Sequence, residues 1–236
     1  MAVWVGTSGY SYPEWRGSFY PEKFPTTKML PYYAERFPTV EINNTHYRMP
    51  NEELVAGWAA QTPERYQLTL KAPKRITHDT RLKNCEDATH RFLEVASTLG
   101  PKLGVLLFQL PPFFKKDLPV FDAFLATLPA GTRAAFEFRH PSWLDDEVYG
   151  RLRDKNIALC VADSEKLSTP VEITADYAYF RLRDEGYQRD DIVRWARTIQ
   201  EKTGACRDVY VYFKHEEKGI GPEFARILMD ELGLPR

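Results

Sequence analysis

Eight short β-rich runs alternate with segments of helical spacing along the chain. Between the runs, apolar residues recur at three- and four-residue intervals, which is typical of helices with one buried face. This order, repeated eight times in 236 residues, predicts an α/β fold of the (β/α)8 TIM-barrel type with eight parallel strands. The strand candidates are Val3–Val5, Val40–Asn43, Tyr66–Lys71, Leu103–Gln109, Ala134–Arg139, Ile157–Ala162, Tyr177–Arg183 and Val209–Lys214.

A doubly wound open sheet is the alternative to a barrel. Its dinucleotide-binding version lacks support, because no Gly-x-Gly-x-x-Gly follows the first strand. The composition, 43% hydrophobic and 28% charged, is that of an ordinary globular protein. No linker or repeat interrupts the pattern, so we expect one domain over residues 1–236.

Two segments depart from the regular alternation. Ser164–Ala175 contains Pro170 and has no helical period, which predicts that the helix between strands six and seven is missing or a single turn. Ser8–Thr27 is long for a strand–helix loop, and long ordered loops are often functional. Its aromatic rings either seal the barrel end, which we favour, or stack on a base or sugar. They are Tyr10, Tyr12, Trp15, Phe19, Tyr20 and Phe24.

Charge, cysteine content and hydropathy indicate the cellular compartment of the protein and the classes of partner it can bind. Lys and Arg number 32 and Asp and Glu 33, so no overall field draws the protein to nucleic acid or an anionic membrane. Cys85, Cys160 and Cys206 are widely spaced and form no C-x-x-C pair, which indicates a reducing compartment. Without a signal-peptide pattern or an apolar run of roughly 18 residues, the chain is expected to be cytoplasmic and not membrane-bound.

The predicted fifth strand carries charges that a buried strand does not normally tolerate. Side chains alternate across a strand, so Phe136 and Phe138 face one side while Glu137 and Arg139 face the other. Charges desolvated inside a barrel persist only when they are paired or when function requires them. His140 follows in the turn, where parallel α/β folds place their chemistry.

Other predicted strands end in polar side chains in the same way. Because the carboxyl ends of barrel strands converge, these side chains are expected to form one site. A ligand site is favoured, with Glu41 paired to Lys71, and an ion-pair network that merely closes the barrel is the alternative. The residues are Glu41, Asn43, Lys71, Gln109, Glu137, Arg139, Arg181 and Arg183.

Seven ordered motifs resemble those of the YecE-like family, domain of unknown function 72. They are Gly6–Tyr10, Trp15–Pro21, Val40–Tyr47, Ile76–His78, Phe108–Pro112, Glu137–His140 with Trp143, and Val209–Phe213. The resemblance extends over essentially the whole chain. It implies a TIM-barrel-like fold with a mouth lined by these motifs, and it implies no activity.

The chain departs from the family pattern at His46, Lys214 and His215 and in the segment Arg181–Gly186. A ligand role for those three residues is therefore not carried over. Backbone hydrogen bonds are the expected role of His46 and His215. His78 and His140 match family motifs and remain site candidates.

The catalytic candidates are Glu41, Glu137 and His140. Either glutamate is suited to be a general base with His140 as the partner acid, since burial raises a carboxylate pKa while nearby arginines lower it. We expect no metal or other cofactor, because no short His spacing occurs and the cationic strand ends would repel a divalent ion. The substrate-binding candidates are Tyr10, Trp15, Asn43, Lys71, His78, Gln109, Arg139, Arg181 and Arg183.

These residues predict an enzyme that acts on a phosphorylated or otherwise anionic small molecule in the barrel mouth. Arginine offers a planar fork for phosphate or carboxylate oxygens, and hydrolase or lyase chemistry is the candidate reaction type. The alternatives are a nucleic-acid-binding or nuclease-related protein and a non-catalytic interaction scaffold. The near-zero net charge favours a compact ligand over a long polyanion.

Overall fold

Eight parallel strands form a nearly closed barrel in the computed structural model, which describes residues 1–164 and 166–235. Neighbouring strands pair in the order β1-β8-β7-β6-β5-β4-β3-β2. The predicted (β/α)8 fold is confirmed. The strands are Ala2–Thr7 (β1), Thr39–Ile42 (β2), Gln67–Lys71 (β3), Leu103–Gln109 (β4), Ala134–Glu137 (β5), Ala158–Asp163 (β6), Tyr177–Leu182 (β7) and Asp208–Phe213 (β8).

Helices surround the strands. Three of the helices have an N-terminal cap. The cap residues are Asn51, Asp117 and Asp145, and the side chain of each accepts a hydrogen bond from a backbone N–H of the first turn. Within the described residues, no helix combines the length and apolar character needed to cross a bilayer. The helices are Met29–Ala34 (α1), Asn44–Tyr47 (α2), Glu52–Ala60 (α3), Glu86–Ser97 (α4), Leu118–Thr127 (α5), Asp146–Asp154 (α6), Arg189–Lys202 (α7) and Ile220–Glu231 (α8).

The connection from β6 to β7 contains no helix in its described residues, 164 and 166–176, as predicted. An extended strip takes the helix's place. The buried Thr174 hydroxyl accepts from the backbone N–H of Leu159 at 2.7 Å and donates to the carbonyl of Ile157 at 2.7 Å. One hydroxyl thus fastens this strip to the start of β6.

The barrel is least regular between β1 and β2, where the described pairing is a bridge between Ser8 and Glu41. Tyr33 from α1 fills the gap. Its hydroxyl accepts from the backbone N–H of Thr7 at 2.7 Å and donates to the carbonyl of Thr39 at 3.3 Å. A side chain therefore replaces part of a strand ladder and holds the two strands together.

Gly6 allows β1 to approach β2 at this seam. A β-carbon at position 6 would lie 2.2 Å from the carbonyl oxygen of Thr39, well inside van der Waals contact. The position therefore requires glycine because of space. This close approach brings the carboxyl ends of the two strands side by side.

The alternation predicted for the fifth strand is present, although β5 ends at Glu137 rather than Arg139. Phe136 and Phe138 point outward, and Phe136 packs edge-on against Phe121 of α5. Glu137 points into the barrel. The outer layer of the core is apolar, whereas the interior contains charged and hydroxyl-bearing groups.

Tyrosines close the interior below the carboxyl end. Tyr212 shares hydrogen bonds with the hydroxyls of Thr39 at 2.7 Å and Thr69 at 2.8 Å. Tyr179 lies against Tyr212 with ring centroids 5.3 Å apart. These buried rings form a packed floor beneath the carboxyl end of the barrel, the end at which TIM barrels bind their ligands.

Candidate functional site

A fully buried arginine organises the carboxyl end of the barrel. Arg181, in β7, donates from Nε to the two carboxylate oxygens of Glu41 at 3.0 and 3.2 Å. Its Nη1 donates to Glu137 at 3.2 Å and its Nη2 to the Ser8 hydroxyl at 3.0 Å. One guanidinium thus links strands from opposite sides of the barrel.

Glu41 is fully buried and each of its carboxylate oxygens accepts two hydrogen bonds. Besides Arg181, the donors are the Tyr179 hydroxyl at 2.5 Å and the Ser8 hydroxyl. The predicted pairing of Glu41 with Lys71 is wrong, because Arg181 occupies this carboxylate. A general-base role for Glu41 stays a prediction, and it would require these bonds to rearrange.

Glu137 is held by three side chains. Gln109 donates to one oxygen at 2.7 Å and Arg139 to the other at 2.9 Å, in addition to Arg181. Burial alone would raise the pKa of Glu137, but Arg181, Arg139 and Lys71 outweigh burial and hold this pKa well below its usual range. The carboxylate is ionised at neutral pH, which makes it a weak proton acceptor.

Lys71 differs from the other buried charged groups. It ends β3 with 8% of its surface exposed, and its side chain makes no hydrogen bond or ion pair within residues 1–164 and 166–235. Burial, followed by the positive charge of Arg181, lowers the pKa of Lys71 to about 7. The amine therefore exists in both charged and neutral forms near neutral pH.

A cavity of about 360 Å³ opens beside Lys71. Asn43 donates to the Ser8 hydroxyl at 2.7 Å, while its buried Oδ1 has no partner in the described structure. Such an acceptor is normally satisfied, so it indicates a place for a donor from a ligand or water. The lining residues are Gly9, Tyr10, Ser11, Tyr12, Ile42, Asn43, Asn44, Tyr47, Lys71, Lys214 and Glu216.

The predicted site residues fall into three groups. Lys71, Asn43 and Tyr10 line the cavity. The ion-pair network comprises Glu41, Gln109, Glu137, Arg139 and Arg181. Among the described contacts, Trp15, His78 and His140 lie outside both groups, and Arg183 follows β7 and is not among the described residues that line the cavity.

Trp15 is buried in the aromatic loop. Its indole N–H donates to the carbonyl of Glu216 at 2.9 Å, and its ring packs against Phe19 and Tyr20. Trp15 therefore anchors the loop, as the sealing hypothesis expects, and in this arrangement it is not available to stack on a ligand. Tyr10 of the same loop faces the cavity.

Tyr47 and Lys214 also line the cavity but were not among the candidates. Tyr47 is 77% exposed and ends the motif that begins at Val40. Lys214 follows β8 and donates to Glu216 at 2.7 Å. The available signals were the position of Lys214 directly after β8 and the place of Tyr47 in the motif that follows β2, and departure from the family pattern argued against Lys214.

His46, His78 and His215 each form a hydrogen bond with a backbone carbonyl or a hydroxyl group. His46 and His215 each bond to a backbone carbonyl, at 3.0 and 2.8 Å, which confirms that expectation. His78 bonds to the Thr77 hydroxyl at 2.9 Å, and burial, followed by Lys71, lowers the pKa of His78. Among the described residues, no group of three or more His, Cys, Asp or Glu side chains is placed to hold a metal ion.

His140 is held by the turn that follows β5. Its Nδ1 accepts from the backbone N–H of Ser142 at 3.2 Å, so a neutral ring carries its proton on Nε2. No hydrogen bond joins His140 to Glu41 or Glu137 in the described part of the chain. Its role as partner acid stays a prediction.

Comparison with known proteins places the chain in a family. The model of "Protein of unknown function DUF72" matches residues 4–236. The chain belongs to the DUF72 family. The resemblance to YecE-like proteins is thereby confirmed, and the family description names no activity.

Curated relatives support the same assignment. UPF0759 protein YecE of Escherichia coli (strain K12) is 33% identical over 142 residues, which cover 60% of this chain and 50% of YecE. The matched region thus spans half the length of that relative. UPF0759 protein YunF of Bacillus subtilis (strain 168) is 22% identical over 271 residues, covering 98% of this chain and 95% of YunF.

Solved DUF72 structures share the barrel. The DUF72 protein of Thermotoga maritima superposes with a TM-score of 0.85 at 27% identity, covering 99% of this chain and 100% of that one. A DUF72 protein of Enterococcus faecalis gives 0.83 at 18% identity, covering 99% and 96%. The second likeness concerns the fold alone.

Proposed function

We propose that this protein is an enzyme whose substrate is a small anionic molecule, such as a phosphorylated metabolite, bound in the cavity beside Lys71. The observation that carries the proposal is the environment of Lys71. It is almost fully buried, lines the cavity and lacks an acidic partner among the described residues. A buried ammonium without a partner is unfavourable, and a bound anion would supply that partner.

The charge balance of the network supports an anion. Among the described residues, Glu41 and Glu137 are the carboxylates near Arg139, Arg181 and Lys71, and both carboxylates accept hydrogen bonds from arginine. The two arginines balance the two glutamates of the ion-pair network, so a protonated Lys71 beside it adds one positive charge in excess. In a partly desolvated cavity this charge attracts an anion more strongly than it would in water.

The remaining lining suits a polyhydroxylated or ring-containing molecule. Tyr10, Tyr12 and Tyr47 provide aromatic faces, and the unpaired Asn43 oxygen accepts a hydroxyl or amide proton. A volume of about 360 Å³ is at the lower end of the range for small-molecule sites, which favours a small ligand such as a sugar phosphate. A hollow of about 380 Å³ at the opposite barrel end is less suitable, because its Arg133 and Arg207 already pair with aspartates.

Isothermal titration calorimetry with inorganic phosphate and sugar phosphates tests the proposal. Lys71→Met should weaken phosphate binding by roughly 1.5–3 kcal/mol, the range for hydrogen bonds to charged groups. Lys155→Met removes an exposed lysine at the opposite barrel end and is the matched control. It should bind as the wild type does.

Equal phosphate affinity in the wild type and Lys71→Met, or no binding by the wild type at millimolar ligand, would contradict the proposal. Thermal unfolding of Lys71→Met shows whether a loss of affinity reflects a loss of fold. Binding of oligonucleotides that tightens with length and weakens steeply with salt would favour the nucleic-acid alternative instead.

A further inference from the structure

Lys71 and Lys214 line the same cavity but have opposite surroundings. Lys214 donates to Glu216 at 2.7 Å, and this carboxylate stabilises its ammonium form. Lys71 has no such carboxylate within ion-pair distance in the described chain, because Arg181 engages Glu41 and Glu137. Lys71 is also the more deeply buried of the two.

Burial and neighbouring cations favour the neutral form of an amine. Lys71 experiences both, since it is 8% exposed and lies near Arg181 and Arg139. Desolvation and an adjacent cation are the two devices that turn a lysine into a nucleophile at neutral pH. The pKa of about 7, which burial and Arg181 produce, agrees with this geometry.

We propose that Lys71 forms an imine with the carbonyl carbon of an aldehyde or ketone that the cavity binds, so that the substrate is a phosphorylated or otherwise anionic carbonyl compound. The inference rests on the proposed function, because it places the reacting carbon in the same cavity. It adds the chemical class of the substrate and the residue that reacts.

The step balances without a further reagent. The amine nitrogen attacks the carbonyl carbon, the new C–N bond forms, and the carbonyl oxygen takes up a proton from nitrogen to give a carbinolamine. The C–O bond then breaks, water leaves, and the C=N bond forms, so amine and carbonyl become imine and water. The imine nitrogen takes up a proton from solvent, and the protonated imine accepts the electron pair of the C–C bond that joins the adjacent carbon to a hydroxyl-bearing carbon. That hydroxyl-bearing carbon leaves as an aldehyde while its hydroxyl proton passes to water, which corresponds to lyase chemistry.

Reductive trapping tests the inference. The wild-type protein is incubated with dihydroxyacetone phosphate and cyanoborohydride at neutral pH, and the modified lysines are identified by peptide mass spectrometry. Lys71 should be labelled at least about tenfold faster than Lys214, because a larger fraction of its amine is neutral. With dihydroxyacetone phosphate at saturating concentration, the rate at Lys71 should level off above about pH 8, while the rates at exposed lysines continue to rise.

Lys71→Arg keeps the positive charge but cannot form the imine, so labelling at position 71 should be lost while calorimetric binding of inorganic phosphate persists. Mapping on the wild type remains decisive if this variant folds poorly. The inference is overturned if Lys71 is labelled no faster than the exposed lysines, or more slowly than Lys214. Phosphate binding without labelling at Lys71 refutes the imine alone, whereas the absence of both refutes the anion site as well.

Discussion

Removing the buried guanidinium is the severest test of the charge network. Arg181→Met would leave the carboxylates of Glu41 and Glu137 inside the barrel without their shared cation. Breaking a buried ion pair from one side costs about 3–5 kcal/mol, a large part of the 5–15 kcal/mol that stabilises a typical domain. We therefore expect a severely destabilised variant at neutral pH.

The stability difference between wild type and Arg181→Met should depend on pH in a defined direction. In the wild type, the folded-state pKa of Glu137 lies below its ordinary value. Ionised Glu137 therefore stabilises the folded protein at pH values above its unfolded-state pKa. This stabilisation is lost as the pH falls through the folded-state pKa. Arg181 is the cation that lowers the pKa of Glu137 most, so without Arg181 the pKa of Glu137 should rise from its folded-state value. Acidification should therefore narrow the difference in stability between wild type and variant.

Urea unfolding, followed by tryptophan fluorescence at about pH 7 and about pH 5, measures the free energy of unfolding and its dependence on pH. A compensating change, Glu41→Gln in the Arg181→Met background, should recover part of the loss because it removes one of the orphaned charges. Arg151→Met is the control, since Arg151 pairs with Asp122 at the surface and such pairs contribute about 0–1 kcal/mol. A loss below about 1 kcal/mol for Arg181→Met, or a loss that grows with acidity, would refute the reasoning.

Three further predictions concern the cavity, the seam and the helix-free strip. Sulfate keeps a constant charge between pH 6 and pH 8, and calorimetry should show it binding about tenfold more tightly at pH 6 than at pH 8. The reason is that the Lys71 ammonium is lost as the pH rises through about 7. Sulfate binding to Lys71→Met should not depend on pH in this way. Gly6→Ala should cost about 1–3 kcal/mol or more in urea unfolding, since its β-carbon would overlap the carbonyl of Thr39. Thr174→Val, nearly equal in volume, should cost about 1–3 kcal/mol in the same assay because it leaves buried backbone groups of Leu159 and Ile157 unpaired.

The barrel and the positions of its polar strand ends follow from local pattern. Hydrophobic period identifies strands and helices, and two-residue alternation separates Phe136 from Glu137. The same pattern, together with Pro170, predicts the connection without a helix. Each of these inferences depends on residues a few positions apart, which is why the chain alone suffices for them.

Charge pairing across the barrel depends instead on strands far apart in sequence. Glu41 and Arg181 are separated by 140 positions, and their contact arises because β2 and β7 face each other across the interior. Alternation shows that Glu41, Lys71 and Arg181 point inward, but it does not show which cation reaches the carboxylate. The same reason applies to Trp15, since an aromatic in a loop contacts either ligand or protein according to how the loop folds. Within the described residues, Lys71 has no carboxylate partner because the arginines pair with both Glu41 and Glu137, and only the folded structure decides this.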